Sequence, residues 1–249
     1  MLKVLTNRSS FPSAKLLRNS LQELTGKKIL VTADPRRIKS YPFIRYGDSN
    51  PVSISEETDF NSPNFIQLSS NKLKFSKVME KNKIYSPVYK KDKNNLIFPM
   101  LIRETLTSFG CRGIHVIKNQ KEFDEVWRGG YYWTKYVDLD FELRVHILGN
   151  KISRVFKKQL NEPQEYPIRN NTLCHFSLKN PGKYPKLEEF IKTLTDIKEV
   201  GVGKFYSIDI GWDTNNKKYF VIELNTGSGL NENTSQAYAQ YIYQNLLGG

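Results

Sequence analysis

The chain has 249 residues, with 38 lysines and arginines against 25 aspartates and glutamates, which gives a formal net charge of +13. This length supplies a hydrophobic core for one large domain or two small ones. The positive excess favours acidic partners, which include nucleotide phosphates, nucleic acid and acidic peptides. Composition does not separate these partners from one another, or from a basic surface that only aids solubility.

The sparse cysteines argue against a structural zinc site and a disulfide scaffold. Cys111 and Cys174 are the two cysteines, and no Cys-x-x-Cys or His-x-x-x-His spacing occurs. Cys174 precedes His175, but adjacent residues rarely orient each other as nucleophile and base. No apolar segment resembles a secretory signal, and the longest apolar run, at 96–102, is too short to span a bilayer. We therefore expect a cytoplasmic protein without a membrane partner.

The first 70 residues predict a small βαβ unit followed by a polar, proline-containing loop. Leucines at helical spacing end at Gly26, which is a typical residue after a helix C-terminus. The predicted elements are a strand at 1–6, a helix at 13–24, a strand at 28–32, a loop at 34–63 and a short strand at 65–68.

The rest of the chain alternates between helical and strand patterns, which predicts an α+β fold. Its most basic part is the lysine-rich region 72–93, for which a solvated face is the usual explanation. The predicted helices are 71–82, 120–127, 185–199 and 231–247. The predicted strands are 95–103, 114–117, 131–137, 142–148 and 151–157, with a loop at 105–113 and an extended segment at 84–89.

The most informative segment runs from Tyr206 to Leu230 and reads YSIDIGWDTNNKKYFVIELNTGSGL. Two alternating apolar stretches joined by a polar turn predict a β-hairpin. Asp209 falls on the first strand, and Glu223 and Asn225 fall on the second, two residues apart and so on one face. Their oxygen ligands suit Mg²⁺ rather than zinc, and a bound cation would compensate carboxylates inside apolar strands. The alternative is a surface hairpin with incidental carboxylates.

From about residue 68 to the C-terminus, the motifs resemble those of the ATP-grasp superfamily of carboxylate–amine ligases. Asp209, then Glu223-Leu-Asn225, then Gly227-Ser-Gly229-Leu resemble the metal triad and the glycine turn of D-alanine–D-alanine ligases and of ligases that add glutamate to ribosomal protein tails. The resemblance implies an ATP-grasp fold, in which two α/β subdomains clasp the nucleotide after a truncated Rossmann-like region. The implied divisions are 1–67, 68–130 and 131–249.

The resemblance also implies a nucleotide site. Lys72 resembles the first nucleotide lysine, with Lys74 as the alternative, and Arg103 stands where the family usually has a second lysine. Residues 107–113 resemble the loop that folds over the phosphates, and 134–137 resemble the strand that faces adenine, although the acidic residue common near Lys135 is missing. The implied nucleotide-binding residues are Lys72, Arg103, Ser108, Gly110, Gly113, Lys135, Val137, Glu142 and Lys157.

Further resemblances concern the reacting groups. Glu142-Leu-Arg144 resembles an acidic-x-Arg strand, for which a cross-strand salt bridge is the alternative interpretation. Arg154 and Lys157 resemble residues that reach the triphosphate or the acyl phosphate, and Asn170 and Asn171 resemble the polar loop before the metal hairpin. Ser207 replaces an arginine found in some members. The implied catalytic residues are Arg144, Arg154, Glu223 and Asn225, and the implied metal ligands are Asp209, Glu223 and Asn225.

The chemistry implied by this resemblance uses ATP and two Mg²⁺ ions. A carboxylate attacks the γ-phosphate to give an acyl phosphate and ADP, and an amine then displaces the phosphate. Closure of the 107–113 loop would exclude water. The substrates are unknown, with amino acids and acidic peptides as candidates. Two alternatives stay open: an ATP-grasp kinase that phosphorylates a hydroxyl, and an inactive basic module on the same fold that binds nucleic acid.

Overall fold

A computed structural model of the chain describes residues 2–39, 43–48, 50, 52, 60–106, 113–169 and 173–248, with Leu246 described by its backbone alone. Within these residues the chain forms three β-sheets. Two of the sheets have three strands and the third has five. The mixture of parallel and antiparallel pairing with flanking helices confirms the predicted α+β class.

The N-terminal sheet is parallel and contains the predicted βαβ unit. It consists of β1 (Lys3–Thr6), α1 (Phe11–Thr25), β2 (Leu30–Thr32) and β3 (Phe43–Tyr46), with the strand order β2-β1-β3. Gly26 ends α1 with a φ of 63°, a left-handed conformation that glycine adopts without steric cost. The sequence prediction missed β3, whose four residues are all buried, because it lies inside the polar stretch that predicted a loop.

Two helices connect this sheet to the next, and one of them corrects the strand predicted at 65–68. That stretch lies in α2 (Pro63–Ser70), because the Ser62 side chain caps the first turn and Pro63 occupies its first position. The basic helix was predicted correctly as α3 (Lys72–Lys81), and the Asn71 side chain caps it by accepting from the Lys74 N–H.

The second three-stranded sheet is antiparallel, with the order β5-β4-β6. Its strands are β4 (Met100–Arg103), β5 (Ile114–Ile117) and β6 (Tyr132–Lys135), and α4 (Gln120–Val126) packs against it. Trp133, Met100, Ile102 and Phe123 form its buried core. Most of the predicted phosphate loop, including Ser108 and Gly110, lies outside the described residues.

The five-stranded sheet is antiparallel throughout and has the order β11-β10-β7-β8-β9. Its strands are β7 (Phe141–Leu148), β8 (Lys151–Leu160), β9 (Cys174–Lys179), β10 (Phe205–Asp213) and β11 (Lys218–Asn225). The sequence prediction missed β9, an edge strand whose residues alternate weakly between buried and exposed. One face of this sheet packs against α2, α3 and α5 (Leu187–Thr195), which is followed by the short α6 (Lys198–Gly201). The other face packs partly against the N-terminal sheet, where Phe205 stacks on Tyr46, and another part of it lines the cleft described below.

The C-terminal helix α7 (Glu232–Leu246) returns to the N-terminal sheet and packs along α1. Asn231 caps it by accepting from the Thr234 N–H. The predicted division into three parts stays a prediction, although β6 is hydrogen-bonded to β4 and so shares a sheet with residues 100–117. Among the described residues, no helix has both the length and the apolar character needed to cross a bilayer.

Candidate functional site

A cleft of about 290 Å³ lies between the five-stranded sheet, the β5-β4-β6 sheet and the glycine turn after β11. Its volume is at the lower end of the range for small-molecule sites. Six basic and three acidic side chains belong to its described lining, so the cleft carries a net positive charge. The basic residues are Lys72, Arg103, Lys135, Arg144, Lys158 and Arg169, and the acidic residues are Glu142, Asp209 and Glu223.

A β-bulge in β11 directs two of the predicted metal ligands into this cleft. Val221 pairs with Ile210 and Glu223 pairs with Asp209, which leaves Ile222 as an extra residue in the ladder. Tyr219 and Val221 belong to the hydrophobic core. In an unbroken strand Glu223 would share their face, because alternate residues point the same way. The bulge reverses the alternation, so Glu223 and Asn225 line the cleft while Leu224 packs in the core.

Asp209 lies at the centre of a buried cluster of charges. Arg144 lies opposite it in register and donates from both Nε and one terminal nitrogen, at 2.8 Å to Oδ1 and 2.8 Å to Oδ2. The Nζ of Lys158 lies 2.7 Å from Oδ2. Burial alone would raise the pKa of Asp209, but the charges and hydrogen bonds of Arg144 and Lys158 outweigh burial and hold the pKa below its usual range. Asp209 is therefore ionised at neutral pH.

Glu223 has a separate cationic partner. The Nζ of Lys72, at the start of α3, lies 3.1 Å from Glu223 Oε2, and the amide of Asn225 donates to Oε1 at 3.2 Å. Burial acts to raise the pKa of Glu223, but the charge of Lys72 prevails and lowers it. Of the two lysines considered from sequence, Lys72 therefore lies in the cleft, whereas Lys74 is exposed on α3.

The donor chemistry of Asp209, Glu223 and Asn225 fits a hard divalent cation, since all three offer oxygen ligands on one wall of the cleft. Within the part of the chain that the structure describes, no group of three or more His, Cys, Asp or Glu side chains is arranged to hold a metal. A magnesium site would therefore need the amide oxygen of Asn225 as its third protein ligand. Asp209 would have to release a basic partner to coordinate a metal.

Arg103 faces the same cleft from β4 and is only 9% exposed. Its Nε is buried without a hydrogen-bond partner in the described structure. A buried donor without a partner is costly, so this guanidinium is suited to receive an anion from the cleft. Lys135 and Val137 line the cleft from β6 and the residues that follow it, where the resemblance placed the adenine-facing strand.

Glu142 takes part in cross-strand pairs, as the alternative interpretation of the Glu-x-Arg strand proposed. It lies opposite Lys158 in register, with Lys158 Nζ 3.5 Å from Oε2, and Arg169 donates to Oε1 at 3.4 Å. Burial is the dominant effect on Glu142 and raises its pKa, although Lys158 and Arg169 oppose this shift. Arg144 makes the corresponding cross-strand pair with Asp209.

The glycine turn closes one end of the cleft, and its two glycines have different surroundings. A Cβ at Gly227 would lie 2.2 Å from Ser10 Oγ and 3.3 Å from the Gly47 Cα, so this glycine permits contact with the N-terminal sheet. A Cβ at Gly229 would meet nothing within 4 Å, and this position is open to a ligand. Ser207, where some ATP-grasp proteins have arginine, bonds Ser228 Oγ at 2.6 Å and so fixes the turn.

Three of the predicted site residues lie outside the described lining of the cleft. Lys157 projects from the other face of β8, where its Nζ lies 5.7 Å from the centre of the Phe141 ring. Arg154 is on the same face as Lys158 but four residues away, and it lines a separate groove. Gly113 precedes β5 and has no place in the described lining of the cleft. Ser108, Gly110, Asn170 and Asn171 lie outside the described residues.

Sequence reasoning missed Lys158 and Arg169, which both line the cleft. Strand alternation shows that Glu142 and Arg144 share one face of β7. The pairing register of β8 depends on the turn that connects it to β7, and the sequence does not determine the geometry of that turn. The pair of adjacent lysines at 157–158 was the available signal, and strand alternation requires that only one of them faces the cleft.

Comparison with solved structures identifies proteins with a similar fold. No family model matches the sequence, and no curated protein matches it. The structure superposes on D-alanine–D-alanine ligase from Bacillus anthracis complexed with ATP, with a TM-score of 0.67, 14% identity, and coverage of 99% of this chain and 93% of that one. It also superposes on macrocyclase MdnC from Microcystis aeruginosa bound with precursor peptide MdnA, with a TM-score of 0.61, 13% identity and full coverage of both chains.

A third structure, ATP-grasp ligase PsnB complexed with a minimal precursor, gives a TM-score of 0.64 at 9% identity and covers 99% of this chain and 98% of that one. At such identities the likeness concerns the fold. The chain therefore has the ATP-grasp fold, which the motifs of the hairpin indicated, and its structural neighbours include ligases of nearly the same length.

Proposed function

We propose that the protein is an ATP-dependent carboxylate–amine ligase that forms ADP and works through an acyl phosphate. The observation that carries this proposal is the charge arrangement of the cleft, in which six basic side chains surround the Asp209, Glu223 and Asn225 oxygens. Phosphoryl transfer depends mainly on positioning and on charge neutralisation, and this cleft offers both cations and hard oxygen ligands. The ATP-grasp fold and the ligases among its structural neighbours support the same reaction class.

Basic residues would hold the triphosphate. Arg103 has an unsatisfied buried Nε, and Lys72 and Lys158 have flexible ammonium groups that already lie in the cleft. We propose that Lys72 and Lys158 transfer from protein carboxylates to phosphate oxygens when the nucleotide enters, and that Arg103 offers its unpaired Nε to the same phosphates. Lys135 and Val137 would border the base, with the strand backbone available for hydrogen bonds to adenine.

Asp209, Glu223 and Asn225 would hold Mg²⁺, which would supply positive charge beside the transferred phosphoryl group. Arg144 would stay anchored to Asp209 through two hydrogen bonds and place its positive charge beside the carboxylate or acyl phosphate. A guanidinium held in this way has little orientational freedom, which favours stabilisation of developing charge. The open space at Gly229 would admit the attacking amine.

The net charge of the chain and two of its structural neighbours support a proposal for the class of substrate. The chain carries a net charge of +13, and of two structural neighbours that cover nearly the whole chain, MdnC is described with a precursor peptide bound and PsnB with a minimal precursor. We propose a carboxylate-containing amino acid or acidic peptide as the group that is activated.

Hydroxylamine trapping tests the reaction class. Purified protein would be incubated with Mg²⁺, ATP, hydroxylamine and, in separate reactions, glutamate, aspartate or an octaglutamate peptide. An acyl phosphate reacts with hydroxylamine to give a hydroxamate, whereas a phosphorylated hydroxyl does not. Hydroxamate formed together with ADP is the expected result. A stable phosphate ester formed without an amine requirement would instead establish a kinase.

A further inference from the structure

A second concave surface lies on the same sheet face as the cleft. We call it the α7 groove, and it has a volume of about 650 Å³ between β8, β9 and the first turns of α7. Arg154 and Phe156 line it from β8, Leu178 and Lys179 from the end of β9, Asn180 from directly after that strand, and Asn233 and Gln236 from α7. No carboxylate belongs to its described lining.

The side chains that line the α7 groove are suited to binding a peptide. Amide side chains such as those of Asn180, Asn233 and Gln236 can both donate to and accept from a peptide backbone. Leu178 is 58% exposed and offers apolar contact. Arg154 supplies a guanidinium suited to a carboxylate, and one of its terminal nitrogens is bonded to the Ser153 carbonyl at 2.9 Å, which fixes its orientation. The one aromatic ring in the described lining, Phe156, is 8% exposed and offers little stacking surface for a nucleobase.

The α7 groove and the proposed reaction centre lie along the same face of β8. Lys158, Phe156 and Arg154 alternate along one face of β8, and their pairing with β7 is regular from Glu142 to His146. Four residues of strand separate Arg154 from Lys158, which is ~13 Å. The Gly227–Gly229 turn borders the cleft, and Asn231, two residues later, borders the groove. A single extended peptide would therefore reach both places.

We propose that the α7 groove binds an acidic peptide substrate, with Arg154 holding a side-chain carboxylate about four residues from the carboxylate that enters the cleft. This inference rests on the proposed ligase function and specifies its substrate. It also assigns a role to Arg154, which lies outside the nucleotide cleft. The protein would recognise the distance between two carboxylates, since acidic residues at i and i+4 of an extended chain are ~13 Å apart.

Fluorescence anisotropy with two labelled octapeptides tests whether Arg154 recognises the second carboxylate. The first peptide, AAEAAAEA, has glutamates four residues apart, and the second, AAEAAAQA, has one of them replaced by glutamine. We expect wild-type protein to prefer the first peptide at least fivefold at low salt. In Arg154→Gln the preference should disappear, because the guanidinium that distinguishes glutamate from glutamine is then missing. A preference that survives in Arg154→Gln, or that is absent from wild type, would overturn the proposal.

Arg128→Gln provides the matched control, since Arg128 also bonds the carbonyl of its preceding residue and is exposed on the β5-β4-β6 side, outside both concave surfaces. Its peptide preference should equal that of wild type. Gln236→Glu is a second variant on an exposed helical position, and it should weaken the first peptide by at least threefold through repulsion. A labelled oligothymidylate that competes with equal dependence on Arg154 would overturn the assignment to peptide.

Thermal shifts with Mg²⁺ and ADP in the same variants separate this inference from the proposed function. Arg154→Gln should keep the wild-type nucleotide shift while losing the peptide preference. If wild type shows a nucleotide shift but no peptide preference, the groove proposal fails and the ligase proposal stands. If wild type shows no nucleotide shift, the ligase proposal fails, and the groove proposal falls with it.

Discussion

Asp209 and Arg144 lie directly opposite each other on adjacent strands, and the guanidinium holds both carboxylate oxygens at 2.8 Å. The positive charges of Arg144 and Lys158 together offset the cost of burying the Asp209 carboxylate. Burial of the carboxylate alone is therefore no argument for a metal, although the sequence suggested one. What argues for a cation is the set of oxygen ligands that the bulge in β11 brings onto one wall of a positively charged cleft.

The two adjacent lysines of β8 should differ in function. Lys158→Ala should lower ATP turnover by at least 100-fold, because it removes a cation from the proposed phosphate site and leaves Asp209 and Glu142 with fewer partners. Lys157→Ala should change turnover less than twofold, since Lys157 lies on the other face of the strand. ADP release measured for both variants, with thermal melting to confirm folding, checks the prediction. Equal losses would contradict the strand register.

Arg103→Ala should weaken nucleotide affinity about tenfold or more, because it removes the buried guanidinium donor that is suited to bind a phosphate oxygen. Arg103→Lys should recover part of the affinity, since lysine keeps the charge but loses the planar donor geometry. Isothermal titration with ADP and Mg²⁺ measures both. Wild-type affinity in the alanine variant would make Arg103 a strand residue without a role in binding.

Acid should destabilise the protein through Asp209. Its pKa is lowered in the folded state, so its stabilising contribution is complete above the unfolded pKa of about 3.9 and is lost as the pH falls through the folded value. The free energy of unfolding should therefore fall on acidification below about pH 4 in wild type. Asp209→Asn should show a smaller fall, measured by urea unfolding at several pH values.

Glu142→Gln is the control for this pH dependence, because the pKa of Glu142 is raised rather than lowered. Its contribution is complete below its unfolded pKa and is lost as the pH rises through the folded value, which is the opposite sign. Glu142→Gln should therefore not reduce the loss of stability in acid. If it reduced that loss as much as Asp209→Asn, the assignment to Asp209 would be wrong.

Substitution of the two glycines of the turn should affect the free energy of unfolding to different extents. Gly227→Ala should lower the free energy of unfolding by about 1–3 kcal/mol, since its Cβ would meet Ser10 Oγ at 2.2 Å. Ser10→Ala should relieve part of this cost in the double variant. Gly229→Ala should leave stability within about 0.5 kcal/mol of wild type, because the position is open and its φ is ordinary. Urea unfolding of the four proteins checks these values.

The sequence predicted the hairpin, the βαβ unit and most helices, because their periodicity and caps are local signals. Asn71, Asn231 and Gly26 mark helix ends that the structure confirms. The β11 bulge and the register of β8 could not be predicted, since both depend on the detailed geometry of the turn and of the strand pairing within each hairpin. The interpretation of Lys157 failed for this reason. Arg154 lies on the same face as Lys158 but lines a separate groove, and the sequence did not indicate its distance from the cleft.

The thermal shift of wild type and Glu223→Gln with Mg²⁺ and ATP or ADP tests the central claim most directly. Ligand at 100 times its Kd should stabilise wild type by about 2.7 kcal/mol. The account predicts a magnesium-dependent shift in wild type and a much smaller one in Glu223→Gln, whose fold should be intact and whose ATP turnover should be largely lost. No shift with either nucleotide, or an equal shift in both proteins, would contradict a nucleotide site at the β10–β11 hairpin.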